Sequence, residues 1–279
     1  MTEDRSSAQD ELGPEEPDTT AGTGIDTSVP HSARIWNYWL GGKDNYAVDR
    51  AAGDQFSAIY PRIVDIARAD RAFLGRVIRY LVSEAGMRQL LDVGTGLPTA
   101  DNTHQVAQRV APESRVVYVD HDPLVLTHAR ALLTSTPEGA TNYVDADMRD
   151  PQKVLREAAE WLDLTQPVVL TFMGVLGHIV DHDEARSIVA ALLDGLPSGS
   201  YLAINDSINT SEALEEALRQ YEASGAVPYR TRSLEQFTGY FDGLELVEPG
   251  VVNVEDWRPD PGSARGPEIP QAGAVGRKR

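Results

Sequence analysis

One segment decides the predicted fold of this chain: Leu90–Thr99, with the sequence LLDVGTGLPT. Its first four residues have the length and the apolar character of a short buried strand. Gly94 and Gly96 lack a Cβ, so the backbone can adopt positive φ there and can approach a ligand closely. A helix is predicted directly afterwards, from about residue 100 to 110, and its unpaired N–H groups would suit an anion. The segment therefore predicts a strand–turn–helix unit that is either an ordinary tight turn or a nucleotide site.

Strand-like and helical segments alternate on the carboxyl side of this unit. Further strands are predicted at residues 115–119, 141–144, 167–172 and 201–205, with amphipathic helices between them. Such alternation indicates an α/β protein with a doubly wound parallel sheet. Two last strands, 244–247 and 251–254, are too close in sequence for a parallel crossover, so we expect them to form an antiparallel hairpin. The predicted fold is Rossmann-like, with seven strands that are mostly parallel and an antiparallel C-terminal hairpin.

Composition divides the chain into four regions. Residues 1–24 are acidic and polar, and residues 259–279 are rich in proline and glycine, so both are predicted to be disordered tails. Residues 25–60 are predicted to form a helical N-terminal lid, and residues 61–258 the nucleotide-binding domain.

Charge and cysteine content narrow the function. The formal net charge is -18, which disfavours binding to nucleic acid because that affinity depends on Lys and Arg. No apolar run approaches the roughly 20 residues of a membrane span. The chain has no cysteine, so disulfides and thiolate chemistry are excluded. These features predict a cytoplasmic protein that acts on a small molecule.

Acidic residues follow the second and third strands of the predicted sheet. Asp120 lies 24 residues after Gly96, close to the spacing expected of an acid that binds ribose hydroxyls. Its alternative role is a helix cap, although Asp122 before Pro123 suits that role better. Asp147 and Met148 follow the third strand and could bind an adenine ring, unless they form an ordinary solvated loop. Because the carboxyl ends of parallel strands meet in one crevice, these residues predict an adenosine-type site.

The glycine turn differs from a dinucleotide fingerprint. Thr99 stands where that fingerprint requires a third small residue, and an acid, Asp92, precedes the first glycine by two positions. At this point the chain resembles the class I S-adenosylmethionine-dependent methyltransferases, with Pro98 replacing the third glycine of their first motif. The segment from Gly24 to Tyr46 and the run around Asn102 resemble a branch from high-GC filamentous bacteria, whose members carry the methyltransferase label without a defined substrate.

The resemblance implies S-adenosyl-L-methionine as cofactor and assigns residues to its parts. Asp92, Gly94 and Gly96 would line the methionine part, Asp120 the ribose, and Asp147 with Met148 the adenine. The other residues expected at the cofactor are Thr99, Asn102, His121 and Phe172.

The N-terminal helix, residues 34–40, is apolar nearly all round and must be buried. It either packs on the sheet edge or also forms a lid over the cofactor. As a lid it would place Tyr38 or Tyr46 near the sulfonium, because aromatic faces attract cations. Arg34 or Asn45 would then lie near the methionine carboxylate.

Methyl transfer from a sulfonium is an in-line displacement that mainly requires alignment. A general base is needed only where the acceptor must lose a proton, and His178 after the fourth strand is the candidate, with a purely structural histidine as its alternative. That loop lacks the Asn/Asp-Pro-Pro-aromatic pattern of enzymes that methylate planar amino groups, so oxygen is favoured over nitrogen or carbon. No metal site is expected. The alternatives are a non-catalytic sensor that binds the cofactor and an NAD-dependent oxidoreductase.

Overall fold

The computed structural model describes residues 26–98, 101–132, 134–263, 266 and 268–279, without the side chains of residues 128–132. The predictions for residues 1–24 and for Thr99 lie outside this part of the chain. Its helices are α1 Ser32–Trp39, α2 Ala47–Ile59, α3 Ile63–Ser83, α4 Thr103–Val110, α5 Pro123–Leu132, α6 Pro151–Ala158, α7 His182–Asp194, α8 Glu212–Ala223 and α9 Leu234–Thr238. Its strands are β1 Gln89–Val93, β2 Arg115–Asp120, β3 Ala140–Asp145, β4 Val169–Met173, β5 Tyr201–Ser207, β6 Glu245–Leu246, β7 Val252–Asn253 and β8 Gln271–Arg277.

The strands form one mixed sheet in the order β3-β2-β1-β4-β5-β8-β6, and β7 also pairs with β8. Strands β1 to β5 are all parallel to one another, and β8 is antiparallel to β5. The sheet has seven positions because β6 and β7 share the outer edge of β8, where Glu245 faces Arg277 and Val252 faces Gly273. The predicted Rossmann-like, mostly parallel sheet is confirmed.

The antiparallel part of the sheet differs from the prediction in its partners. The runs 244–247 and 251–254 do not form a hairpin with each other, because both lie along the same edge of β8. The sequence pattern shows only that they are too close for a parallel crossover. It does not show that a later strand would separate them from β5.

The prediction of a disordered tail at 259–279 is wrong for its last part. Strand β8 is buried from Gln271 to Gly276 and lies between β5 and the outer edge. A Cβ on Gly273 would lie 2.7 Å from the ring of Phe73, and one on Gly276 would lie 2.9 Å from Phe241. Small residues are therefore required for close packing, although their composition is that of a linker. The sheet domain extends beyond residue 258 to include β8.

Apolar side chains cover both faces of the sheet. One core cluster joins the sheet to α6, α7 and α9, and the other joins it to α3, α4 and α8. Helix α3 was not among the elements predicted from the sequence, yet its apolar residues recur at helical spacing along one buried face. No helix in the described ranges is both long and apolar enough to cross a membrane.

Candidate active site

A cavity of about 350 Å³ opens at the carboxyl ends of β1 to β4. Such crevices are the usual ligand sites of open α/β sheets. Nine residues predicted for the cofactor or for catalysis line it, namely Asp92, Gly94, Gly96, Asn102, Asp120, His121, Asp147, Met148 and His178.

The glycine turn after β1 has the backbone that its sequence predicts. Gly94 and Gly96 have φ of +74° and +61°, in the region that side chains rarely adopt. A Cβ on Gly94 would lie 2.3 Å from a methyl carbon of Val175. Gly94 therefore permits close contact with the loop after β4, in addition to leaving the backbone accessible from the cavity.

Asp92 fixes the strand ends under the turn. Its carboxylate accepts hydrogen bonds from the hydroxyls of Thr103 on α4 at 2.6 Å and Thr171 on β4 at 2.7 Å. Burial raises the pKa of this carboxyl. Because each of its oxygens accepts one of these bonds, Asp92 acts mainly as an anchor for the start of α4 and the end of β4.

Asp120 performs a similar task at the end of β2. It accepts hydrogen bonds from the backbone N–H groups of Gly96, His121 and Asp122 at 3.0, 2.9 and 3.0 Å. Burial raises its pKa. Asp122 caps α5 by accepting from the Leu124 N–H at 2.8 Å, which is the division of roles that the sequence favoured.

The residues after β3 border the same cavity. Met148 is buried and Asp147 is half-buried, with the Asp147 carboxylate accepting from the Arg149 N–H at 2.9 Å. Tyr143 also lines the cavity and stacks on Tyr118, with ring centroids 5.7 Å apart. At this end of the cavity, the carboxylate of Asp147 is therefore a hydrogen-bond acceptor beside the apolar surfaces of Met148 and Tyr143.

Helix α1 covers part of the cavity, but not with the predicted side chains. Its residues Ala33, Trp36, Asn37 and Trp39 are in the lining. His31, which precedes the helix, contacts Asp122 at 2.8 Å and so connects α1 to the end of β2. Burial acts to raise the pKa of Asp122, but the hydrogen bond from His31 helps to hold it below its ordinary value.

Arg34, Tyr38 and Tyr46 lie outside the cavity lining, which corrects the prediction that they contact the cofactor. Arg34 is buried in an ion pair with Asp49 at 2.9 Å, and its guanidinium lies 5.2 Å from the ring centre of Tyr46. Tyr38 donates a hydrogen bond to Asp54 at 2.8 Å. Positions 34 and 38 are four residues apart, so they share the helix face that turns away from the cavity.

The prediction that Phe172 lies at the cofactor is also corrected. It is fully buried in the core cluster of α6 and α7 and does not line the cavity. Successive side chains of a strand point to opposite faces, so its neighbours Thr171 and Met173 point towards the other side. Thr171 bonds to Asp92, and Met173 is in the lining.

His178 lies in a 3₁₀ turn after β4, Leu176–His178. Its Nδ1 is 3.1 Å from the carbonyl oxygen of Pro228, and because a carbonyl only accepts, Nδ1 carries the proton. Burial lowers the pKa of the ring, which favours the neutral form. In that form Nε2 keeps its lone pair, so His178 can accept a proton from a bound ligand.

Comparison with known proteins identifies the type of site. The model of the S-adenosyl methyltransferase family matches residues 18–279. This chain belongs to that family. It is an S-adenosyl-L-methionine-dependent methyltransferase, and S-adenosyl-L-methionine is its cofactor, so the nicotinamide alternative is wrong.

Two solved structures are similar to this methyltransferase over most of their length. A DUF574 family protein from Streptomyces avermitilis MA-4680 is 48% identical, with 91% of this chain and 99% of that chain covered and a TM-score of 0.87. A methyltransferase-type protein from Thermobifida fusca YX is 38% identical, with 91% and 97% covered and a TM-score of 0.83. No curated protein matches the sequence. The predicted resemblance to a branch from high-GC bacteria is confirmed.

Sequence reasoning missed three charged residues of the methyltransferase's cavity, Asp70 and Arg71 on α3 and Arg149 after β3. Asp70 is 6% exposed, and neither of its carboxylate oxygens has a hydrogen-bond partner among the described residues. Its pKa is raised, first by burial and then by the charge of Asp206. The signal was present in the sequence, because Asp70 stands at a core position of α3, between Ile66 and Phe73 on the apolar face.

Asp206, at the end of β5, is the partner acid. It accepts hydrogen bonds from the N–H groups of Gly177 at 3.0 Å and Ser207 at 2.8 Å, and from the hydroxyl of Tyr229. Burial raises its pKa to about 6. Tyr229 also contacts His178, with ring centroids 5.1 Å apart, so the acids and the histidine belong to one region of the cavity. Within the described ranges, no group of three or more histidine or acidic side chains could hold a metal ion.

Proposed function

We propose that this methyltransferase transfers the methyl group to a hydroxyl oxygen of a small organic acceptor by in-line displacement. The observation that carries the proposal is His178, a neutral histidine in the cavity with Nδ1 held by Pro228 and Nε2 left to accept a proton. A hydroxyl acceptor must lose its proton during the transfer, and a neutral imidazole can take it. The net charge of -18 supports a small molecule over nucleic acid as acceptor. The cytoplasmic location stays a prediction from composition.

The residues around the cavity fit the cofactor. Asp120 accepts three hydrogen bonds, which leaves about one of the four acceptor positions of a carboxylate for a ribose hydroxyl. Asp147 and Met148 are suited to the adenine. Arg71 replaces Arg34 as our candidate for the methionine carboxylate, because it lines the cavity and no described residue forms a hydrogen bond or ion pair with its guanidinium.

The bound cofactor supplies a methyl group on a positively charged sulfur, which is a good leaving group. The protein aligns the acceptor and excludes water, and His178 receives the acceptor proton on Nε2. Trp36 and Trp39 of α1 line the cavity, and their apolar side chains limit the access of water.

The test of catalysis uses labelled cofactor and a metabolite extract from a host that lacks the gene. A labelled product with the methyl on oxygen, identified by mass spectrometry, is the expected result. His178→Gln should lower kcat about 100-fold, because general bases contribute at least that much, and should leave S-adenosylhomocysteine affinity unchanged. His182→Gln is the matched control outside the cavity. A product methylated on nitrogen or carbon, or full activity of His178→Gln, would contradict the proposal.

The test of the cofactor site is calorimetry with S-adenosylhomocysteine. Asp120→Asn should weaken binding about 30-fold, or roughly 2 kcal/mol, because it removes a charged acceptor that also holds the glycine turn. Asp145→Asn, an exposed acid at the end of β3, is the control and should bind normally. Equal affinity of both variants would show that Asp120 does not contact the ribose.

A further inference from the structure

The cavity has a second end, where helices rather than Asp120 of β2 and Asp147 after β3 form the lining. Helices α1, α2, α3 and α8 meet there, and their apolar side chains form its walls, namely Trp36, Trp39, Phe56, Ile66, Leu214 and Tyr221. The aromatic rings contact one another in series, with centroid distances of 5.8 Å for Trp36–Trp39, 5.2 Å for Trp39–Phe56 and 5.9 Å for Phe56–Tyr221. We call this end the aromatic chamber. It suits a flat or hydrophobic body.

One acid of α3, Asp70, borders the cavity from a buried position. Asp70 is 6% exposed and lines the cavity, and neither of its oxygens is hydrogen-bonded. The neighbouring side chain of Asn205 lowers the raised pKa of Asp70 in part, and its own amide atoms also have no hydrogen-bond partner among the described residues. Buried polar groups are nearly always paired, so an unpaired one implies a missing partner.

The neighbouring acid determines what that partner is. Asp206 is already bound by two N–H groups and by the hydroxyl of Tyr229, so it adds negative charge without needing a further donor. The charge of Asp206 acts on Asp70 and would repel a carboxylate or phosphate. The charges of Arg71 and Arg232 act on Asp70 and Asp206, but neither arginine donates a hydrogen bond to Asp70. An ammonium group would supply that charge-assisted donor.

We propose that the methyl acceptor carries an amine on an aromatic or hydrophobic body, and that its ammonium group binds Asp70 while the body occupies the aromatic chamber. This inference rests on the proposed function and names the substrate class of the same site. The amine is the group that is recognised, and the hydroxyl near His178 is the group that is methylated.

The cofactor also carries an ammonium group, on its methionine part. Asp70 lies at the ends of β4 and β5, where a Cβ on Gly174 would be 3.8 Å from its carboxylate and where Asp206 and Asn205 act on it. Asp120 lies on β2, on the other side of β1. Arg71, our candidate for the methionine carboxylate, follows Asp70 directly in the chain and lines the same cavity. The ammonium of the cofactor is therefore the competing source, and the experiment distinguishes it from that of the acceptor.

Three 4-substituted phenols whose side chains differ in charge test the proposal: tyramine, tyrosol and 3-(4-hydroxyphenyl)propanoate. Each is titrated into the protein saturated with S-adenosylhomocysteine and followed by NMR. We expect tyramine to bind about tenfold more tightly than either of the other two. In Asp70→Asn the preference should fall to less than about twofold, whereas Asp65→Asn, an exposed acid of the same helix, should retain it.

The affinity of Asp70→Asn for S-adenosylhomocysteine separates the two sources of ammonium and also reports folding. We expect it to equal that of the wild type. A tenfold loss of this affinity in a folded variant would assign Asp70 to the cofactor and overturn the inference. Failure of wild-type protein to bind tyramine, or equal binding of the three probes, would overturn it too, even if Asp70→Asn did not fold. None of these three outcomes would contradict the proposed function. The proposed function would fail instead if wild-type protein bound no S-adenosylhomocysteine.

Discussion

Gly94 and Gly86 share a backbone conformation but differ in their surroundings. Both have positive φ, of +74° and +71°. A Cβ would meet Val175 at 2.3 Å in the first case and nothing within 4 Å in the second. The pair therefore separates the backbone preference for glycine from the requirement for space.

Alanine at each position gives a matched prediction. Gly86→Ala should lower the free energy of unfolding by about 1 kcal/mol, the ordinary difference for a side chain at positive φ. Gly94→Ala should lower it by about 2 kcal/mol more, because the loop after β4 must shift. Urea denaturation measures both. Equal losses of unfolding free energy in the two variants would mean that Val175 can move aside without cost.

A single residue, His104 on α4, is expected to make the stability of the folded protein depend on pH. It is 2% exposed and shares a hydrogen bond at 2.8 Å with the hydroxyl of Tyr118. Burial lowers its pKa from 6.5 to about 4. Between these values the unfolded chain binds a proton that the folded protein does not, so stability is full above pH 6.5 and falls as the pH drops towards 4.

His104→Gln should flatten this dependence. Between pH 7 and pH 5 the wild type should lose about 2 kcal/mol of unfolding free energy through this group, and the variant should lose that much less. Chemical denaturation at the two pH values gives the comparison. Parallel losses in both proteins would show that His104 does not carry the effect.

At the scale of elements, a buried ion pair between Arg34 and Asp49 joins α1 to the start of α2. Arg34 is 2% exposed and Asp49 is fully buried, and the carboxylate of Asp49 also accepts from the N–H groups of His31 at 2.9 Å and Tyr46 at 2.8 Å. One buried ion pair thus fixes the starts of both helices. Loss of either partner leaves an uncompensated charge.

Arg34→Met should loosen this helical pair selectively. We expect a loss of about 3 kcal/mol in local stability, seen as faster hydrogen exchange across residues 32–59 with β1 to β5 still protected. Affinity for S-adenosylhomocysteine should fall because α1 lines the cavity. Arg50→Met, an exposed arginine of α2, is the control. Faster exchange throughout the sheet would show that the helices and sheet unfold as one unit.

Which residues of an element reach the site was only partly predictable. The sequence indicates that the N-terminal helix is buried, but positions 34 and 38 face away from the cavity while 33, 36 and 37 face it. An all-round apolar helix has no periodic contrast that would distinguish its faces. Helix α3 has such contrast, and its buried face contains Asp70, so that residue was within reach of the sequence.

At the scale of the whole molecule, β8 completes the sheet. It pairs with β5 along seven residues and with β6 and β7 on its other edge. Without it, one edge of β5 and the two short outer strands would lose their hydrogen-bond partners. The last strand therefore determines whether the sheet can close on that side.

Truncation after residue 269 should abolish cooperative thermal unfolding, because it removes β8 and exposes both neighbouring edges. Removal of Arg279 alone leaves the strand intact and should change the melting temperature little. Circular dichroism and calorimetry compare the two. A folded, S-adenosylhomocysteine-binding protein lacking residues 270–279 would contradict the role assigned to β8.

The sequence by itself determined the alternation of strands and helices from β1 to β5, the glycine turn and the cap that Asp122 forms. These features depend on local periodicity, positive φ and capping, which are properties of neighbouring residues. Only the tertiary structure decided that Gln271–Arg277 is a strand, that Phe172 points into the core, and that the charge of Asp206 acts on Asp70. Glycines 273 and 276 resemble a linker until Phe73 and Phe241 are packed against them. Their partners lie far away in the chain, and no local pattern records which distant side chain will fill the space.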